Sequence, residues 1–215
     1  MFATAERAEW GERARSAGVH AHLVTDRAAA SLSETVTPQG VVAVCELPGT
    51  TVRDALAGRP PLVAVLLGVS DPGNAGTVVR VADAAGAGAV LFAGDAVDPY
   101  NGKAVRASTG SLFHVEVARD RDAGAVLAEC RQAGLRLVGA DGGAETDLDE
   151  ADRGGELAGP TAWVFGGEAH GLSAHPEYAD LDAALRVPIH GRAESLNLGT
   201  AAAVCLYASA RAQRA

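Results

Sequence analysis

Asn74, Arg80, Glu168, Ser195 and Asn197 fall in three short stretches whose residue types could assemble one reactive site. The stretches are Asp71-Pro72-Gly73-Asn74-Ala75-Gly76-Thr77 with Arg80, Phe165-Gly166-Gly167-Glu168-Ala169-His170-Gly171-Leu172, and Val187-Pro188-Ile189-His190-Gly191-Arg192-Ala193-Glu194-Ser195-Leu196-Asn197. Together they offer amides that donate and accept, a carboxylate, a hydroxyl, and a guanidinium fork able to grip phosphate in bidentate fashion. Each stretch begins where a hydrophobic strand ends. Residues 62–69 and 162–165 are apolar without alternation, which is how strands buried on both faces of a parallel sheet read. The carboxyl-end crevice of such a sheet is the usual ligand site. The layout therefore predicts a cofactor or substrate pocket built from loops far apart in sequence.

Other chemistries fit these residues poorly. A phosphate-binding P-loop needs four residues between its first glycine and Gly-Lys-Ser/Thr, and the run from Gly94 to Gly102-Lys103-Ala104 has neither the spacing nor the hydroxyl. A hydrolase nucleophile in Gly-x-Ser-x-Gly is not formed around Ser195, which stands in Ala-Glu-Ser-Leu-Asn. His170 and His175 lack a ligand cluster around them, so no metal is expected.

The elements that must carry the three stretches read as β 62–68, α 75–85, β 88–93, α 103–109, β 113–117, α 121–133, β 135–140, a loop, β 162–166, β 185–189 and a final helix over 195–211. Alternation of this kind predicts an α/β fold with a parallel sheet and helices on both faces. The final helix is apolar over more than one face, from Leu198 and Ala201 through Val204, Cys205 and Leu206 to Ala210, and needs cover on several sides.

The chain has 215 residues, enough for one domain of about 150 residues and a smaller N-terminal piece. Cys45, Cys130 and Cys205 have no paired spacing and suit a reducing compartment. No apolar run approaches the length of a membrane span and residues 1–7 lack a signal-peptide core, so the cytoplasm is the expected location. The net charge of −9 argues at first against a nucleic-acid partner. Residues 141–156, however, hold seven acids against Arg153, a net −6, and read as a solvated acidic loop. Arg53, Arg80, Arg106, Arg186 and Arg192 lie in or beside the expected crevice loops, and Lys103 is the one lysine of the chain.

In order, Asn74-x-Gly76 with Arg80, Gly166-Gly167-Glu168-x-x-Gly171 and Pro188-x-x-Gly191-x-x-x-Ser195-Leu196-Asn197 resemble the three motifs of the SpoU/TrmH family of RNA ribose 2'-O-methyltransferases, in the SPOUT superfamily. The resemblance covers residues 60–211. It departs at Gly167, where many relatives carry Asn, and at Leu198-Gly199-Thr200, where Val-Ser-Val is common. It implies a trefoil knot with residues 187–196 threaded through a loop, an exception to the rule against threaded chains. It implies S-adenosyl-L-methionine held by Ala140, Gly166, Val187, Ile189 and Leu196. It also implies a catalytic set of Asn74, Arg80, Glu168, Ser195 and Asn197, and a homodimer packed through the last helix. The expected substrate is RNA, 23S rRNA ahead of tRNA; the competing class is a non-catalytic RNA-binding protein that keeps the fold.

Residues 1–50 resemble the C-terminal half of the L30e-like substrate-binding domain found in many relatives, with residues 51–60 as a linker and 61–215 as the catalytic domain. Ala-rich sequence over 3–17 and residues 26–32 read as helices. So few large apolar side chains are marginal for independent folding. The expectation is a chain that binds cofactor well and RNA poorly.

Overall fold

Asp71 opens the helix that matters most here, and the reason is local. Its side chain accepts a 2.8 Å hydrogen bond from the backbone N–H of Asn74, and Pro72 follows at the first helical position, where a missing N–H costs nothing. The computed structural model describes residues 1–167 and 171–215. It resolves into two units, Met1–Pro48 and Gly49–Ala215.

The first unit contains β1 (Phe2–Ala3), α1 (Ala8–Ser16), β2 (His22–Leu23), α2 (Asp26–Ser31) and β3 (Val41–Val42). Its three strands form a small sheet in the order β2-β1-β3. The helix read from sequence over 3–17 thus begins later, because Phe2 and Ala3 pair with both neighbouring strands. Thr25 caps α2 by accepting from the N–H of Ala28.

The second unit contains α3 (Val52–Leu56), β4 (Leu62–Leu67), α4 (Pro72–Ala85), β5 (Ala89–Ala93), α5 (Gly102–Ser108), β6 (Glu116–Asp120), α6 (Ala123–Gln132), β7 (Arg136–Ala140), β8 (Thr146–Asp147), α7 (Leu148–Arg153), β9 (Thr161–Gly166), β10 (Ala183–Arg186) and α8 (Leu198–Ala212). Its seven-stranded sheet runs β6-β5-β4-β9-β7-β10-β8, every pairing parallel. The expected parallel sheet with helices on both faces is what forms. Leu62, Ala64 and Leu66 pack with α4, α7 and α8 on one face; Val63, Val65 and Leu67 pack with α3 and α6 on the other. All six β4 side chains are buried, which accounts for the unbroken apolar run. Residues 51–60 carry α3, whose Val52, Ala55 and Leu56 are part of that second core.

Three sequence expectations shift. Residues 141–156 are not a solvated loop: they hold β8 and α7, with Leu148 and Ala151 buried in the core and Asp147 capping α7 through the N–H of Glu150. The charge run hid an amphipathic turn of helix whose acids sit on its outer side. The strand expected at 113–117 lies at Glu116–Asp120, because residues 111–113 form a 3-10 turn first. The strand expected at 185–189 ends at Arg186, and the last helix starts at Leu198 after a stretch without regular structure.

That last helix is held by Trp163 of β9, fully buried, whose Nε1–H donates to Ser209 Oγ at 2.8 Å. Both polar groups lie in the core, so each needs the other. Among the described residues no helix is long and apolar enough to cross a membrane.

Candidate active site

The N-termini of α4 and α8 meet at the carboxyl end of the sheet. Asn197 is the cap of α8, its Oδ1 accepting from the N–H of Gly199 at 3.0 Å. Its Nδ2 donates to Asn74 Oδ1 at 2.9 Å, across 123 residues of sequence. The two helices come this close because position 199 is glycine: a Cβ there would lie 2.5 Å from Thr77 Cγ2. Asp71, which fixes the Asn74 backbone, is itself tied to Lys103 of α5 at 2.8 Å. The Lys103 contact, followed by the Asn74 N–H, holds the Asp71 carboxyl below the usual carboxylate range. Arg80 stands two turns along α4, exposed, and makes no hydrogen bond or ion pair to any described residue.

Beside the Asn74–Asn197 pair lies a cavity of about 690 Å³. Its wall includes Ala140, Gly166, Val187, Ile189 and Leu196, all five positions expected to hold a cofactor, together with Ser195 and Asn197. The size and mixed lining suit a ligand as large as a nucleoside derivative. Gly166 shapes it: a Cβ there would stand 2.7 Å from Leu172 Cα and 2.8 Å from its nitrogen, so only glycine lets residues 171–172 close over the end of β9. Asn74 and Arg80 are outside the lining, and Asn74 is joined to it through Asn197. Glu168 lies outside the described residues.

Sequence reasoning missed part of this wall. Phe165, Leu172 and Leu185 are buried side chains that the cavity also touches, and their apolar character alone could not separate wall from core. Asp141 and Glu194 add carboxylates to the rim. Two of the arginines read as crevice residues are otherwise engaged. Arg53 pairs with Glu129 of α6 at 2.7 Å, and Arg186 donates to the carbonyls of Ala144 and Glu145.

The SpoU rRNA methylase family matches residues 61–207, and the family of RNA 2'-O ribose methyltransferase substrate-binding domains matches residues 3–51. The chain is 34% identical over 194 residues to the 23S rRNA (guanosine(2553)-2'-O)-methyltransferase RlmP of Bacillus subtilis, covering 88% of this chain and 72% of that protein. It is 33% identical to the 23S rRNA (guanosine-2'-O-)-methyltransferase RlmB of Bordetella pertussis, covering 93% and 81%. The SpoU methyltransferase AviRb of Streptomyces viridochromogenes, solved in complex with AdoMet, superposes with a TM-score of 0.83 at 32% identity, covering 99% of this chain and 81% of that one. A family match over residues 61–207, the span that holds all three motifs, together with relatives above 30% identity covered to more than two thirds, places this protein in the SpoU rRNA methylase family.

Proposed function

We propose that this protein methylates a ribose 2'-hydroxyl of RNA with S-adenosylmethionine, with 23S rRNA as the substrate class. The observation that carries the reading is the cavity at the carboxyl edge, where the five expected cofactor positions line one wall space and Asn197 joins it to Asn74. Relatives named as 23S rRNA 2'-O-methyltransferases and the substrate-binding match over residues 3–51 support the choice of RNA.

The residues fit the cofactor: small or aliphatic positions at 140, 166, 187, 189 and 196 offer space and apolar contact, and the Asp141 and Glu194 carboxylates suit a cation. When bound, S-adenosylmethionine supplies an electrophilic methyl group on a sulfonium, a good leaving group. The chain's own work is to bring the acceptor oxygen into line and stabilise the charge that develops on it. Arg80 grips the acceptor phosphate and stabilises the forming alkoxide; a guanidinium stays protonated in proteins, so its part is electrostatic and not basic. Asn74 and Asn197 orient the acceptor side through their paired amides. Ser195 and Glu168 complete the site.

The threaded arrangement belongs to the same reading. β10 lies between β7 and β8, which are joined by residues 141–145, a strand order that supports it. A homodimer working in the cytoplasm is also part of it: Val204 and Tyr207 of α8 are 39% and 51% exposed one turn apart, on the outer side of the helix that Thr200 and Arg211 share.

Transfer of labelled methyl from S-adenosylmethionine to rRNA, with tRNA in parallel, is the deciding assay. Incorporation into rRNA at a ribonuclease-resistant ribose is the expected result. Incorporation into tRNA alone redirects the substrate, and none into either, with cofactor bound, makes the protein a non-catalytic RNA binder. Light scattering at micromolar concentration tests the dimer.

A further inference from the structure

Arg186 is the last residue of β10 and stands immediately before the 187–197 stretch that forms one wall of the cavity. Its side chain is 39% exposed and turns back onto the chain. Nη1 donates to the carbonyl oxygen of Ala144 at 2.8 Å and also to that of Glu145, and Nη2 lies 3.8 Å from Asp147 Oδ2. All three acceptors belong to the segment that leaves β7, crosses β10 and enters α7. The same segment starts the opposite wall: Asp141 and Gly142 line the cavity, and Asp141 N–H donates to the Leu185 carbonyl at 3.0 Å.

We infer that Arg186 is a positioning residue for the cofactor cavity, a clamp that fixes the spacing between the 141–147 segment and the 187–197 stretch. The inference rests on the cofactor reading above. A backbone hairpin could not do this work, because β7 and β8 are not paired with each other; β10 separates them, and residues 141–145 bridge over it with few ladder bonds of their own. Carbonyl oxygens pointing at one guanidinium form charge-assisted bonds, the stronger kind. A planar fork with several N–H groups can hold two carbonyls and a carboxylate together, where an ammonium would serve fewer. Asp147 also caps α7 through its other oxygen, so the clamp is anchored to a helix at its far end. Of the acids in residues 141–156, Asp147 is the one that faces Arg186; Asp152 pairs with Arg211 and Glu156 with Arg136.

The test compares wild type with Arg186→Met and Arg186→Lys in the full chain. Calorimetry with adenosylhomocysteine, steady-state methyl transfer with each substrate varied, and thermal melting are the readouts. Arg186→Met should weaken adenosylhomocysteine binding by about tenfold or more, the scale of one charge-assisted hydrogen bond. It should raise KM for S-adenosylmethionine by a similar factor while kcat at saturation and KM for RNA stay within about twofold. Arg186→Lys, which keeps the charge and one bond, should fall between the two and carries the test if the Met variant does not fold. Unchanged adenosylhomocysteine affinity in the folded variants would overturn the inference. So would a fall in kcat at constant cofactor KM, the pattern of a residue that acts on the RNA or only on the folded fraction. Wild type that binds no adenosylhomocysteine would remove the cofactor reading itself, an outcome distinct from equal binding by wild type and variants.

Discussion

Asn197 Nδ2 donates to Asn74 Oδ1 at 2.9 Å while Asn197 Oδ1 accepts from the Gly199 N–H, so one amide both caps α8 and reaches the start of α4. The two duties can be separated. Serine also caps helices well but is too short to reach Asn74. Asn197→Ser should keep the melting temperature near wild type and lose methyl transfer, whereas Asn197→Ala should also lose about 1 kcal/mol of stability. A double-mutant cycle with Asn74→Ala, read on transfer rates, should give a coupling of roughly 1 kcal/mol. Strict additivity would mean that the pair does not work as a unit.

Arg80 is exposed and unengaged among the described residues, so its replacement should cost little stability. Arg80→Lys keeps the charge and removes the planar fork. Turnover should fall by about 10²–10³, the scale of one preorganised donor, with adenosylhomocysteine binding unchanged. Retention of more than about a tenth of wild-type turnover would contradict a bidentate role.

Gly166→Ala places a methyl group against the Leu172 backbone, at 2.7 Å from its Cα. Backbone cannot rotate aside as a side chain can, so residues 171–172 must move and the cavity must change shape. Adenosylhomocysteine affinity should drop by at least about tenfold, the effect of 1.4 kcal/mol. Calorimetry on the folded variant reads it directly, and undiminished binding would place the ligand elsewhere.

Asp71 sets an acid limit. Its carboxyl is held low, chiefly by Lys103 and then by the Asn74 N–H, so its stabilising effect is complete above the unfolded carboxylate value of about 3.9 and is lost as pH falls through the lower folded value. Asp71→Asn keeps a capping oxygen and removes the charge. The gap in melting temperature between wild type and this variant should be widest near neutral pH and close below about pH 4. Asp83 and Asp182 are also held low, by Ser111 and His114 and by the Leu137 N–H and Arg131 respectively, but they are common to both proteins and cancel in the difference. Added salt should narrow the gap, since the Asp71–Lys103 pair is about half exposed.

Burial pushes the thiols of Cys130 and Cys205 up to about 12, whereas Cys45 is exposed. A thiol reagent at pH 8 should therefore label Cys45 alone in the folded protein and all three cysteines in denaturant. Rapid labelling of Cys205 without denaturant would show that α8 opens readily.

The sheet, most of its helices and the residues that could share a site were legible in the amino-acid order, because those depend on local rules. An unbroken apolar run bounded by Gly and Pro reads as a strand buried on both faces, Asp71-Pro72 ahead of a periodic segment reads as a helix start, and three motifs in order point to a family. Ala140, Gly166, Val187, Ile189 and Leu196 were expected from the family resemblance alone, since their apolar types read equally well as core, and all five line one cavity. Contacts across the chain were not legible in this way and emerge only with the fold. Asn74 meets Asn197 because Gly199 lets two helices approach, and Arg186 binds Ala144 and Glu145 because β10 is inserted between β7 and β8. The acidic run was misread as solvated because charge counts carry no direction; Leu148 and Ala151 face the core while their acidic neighbours face out, a distinction that exists only once the segment has a sheet to pack against.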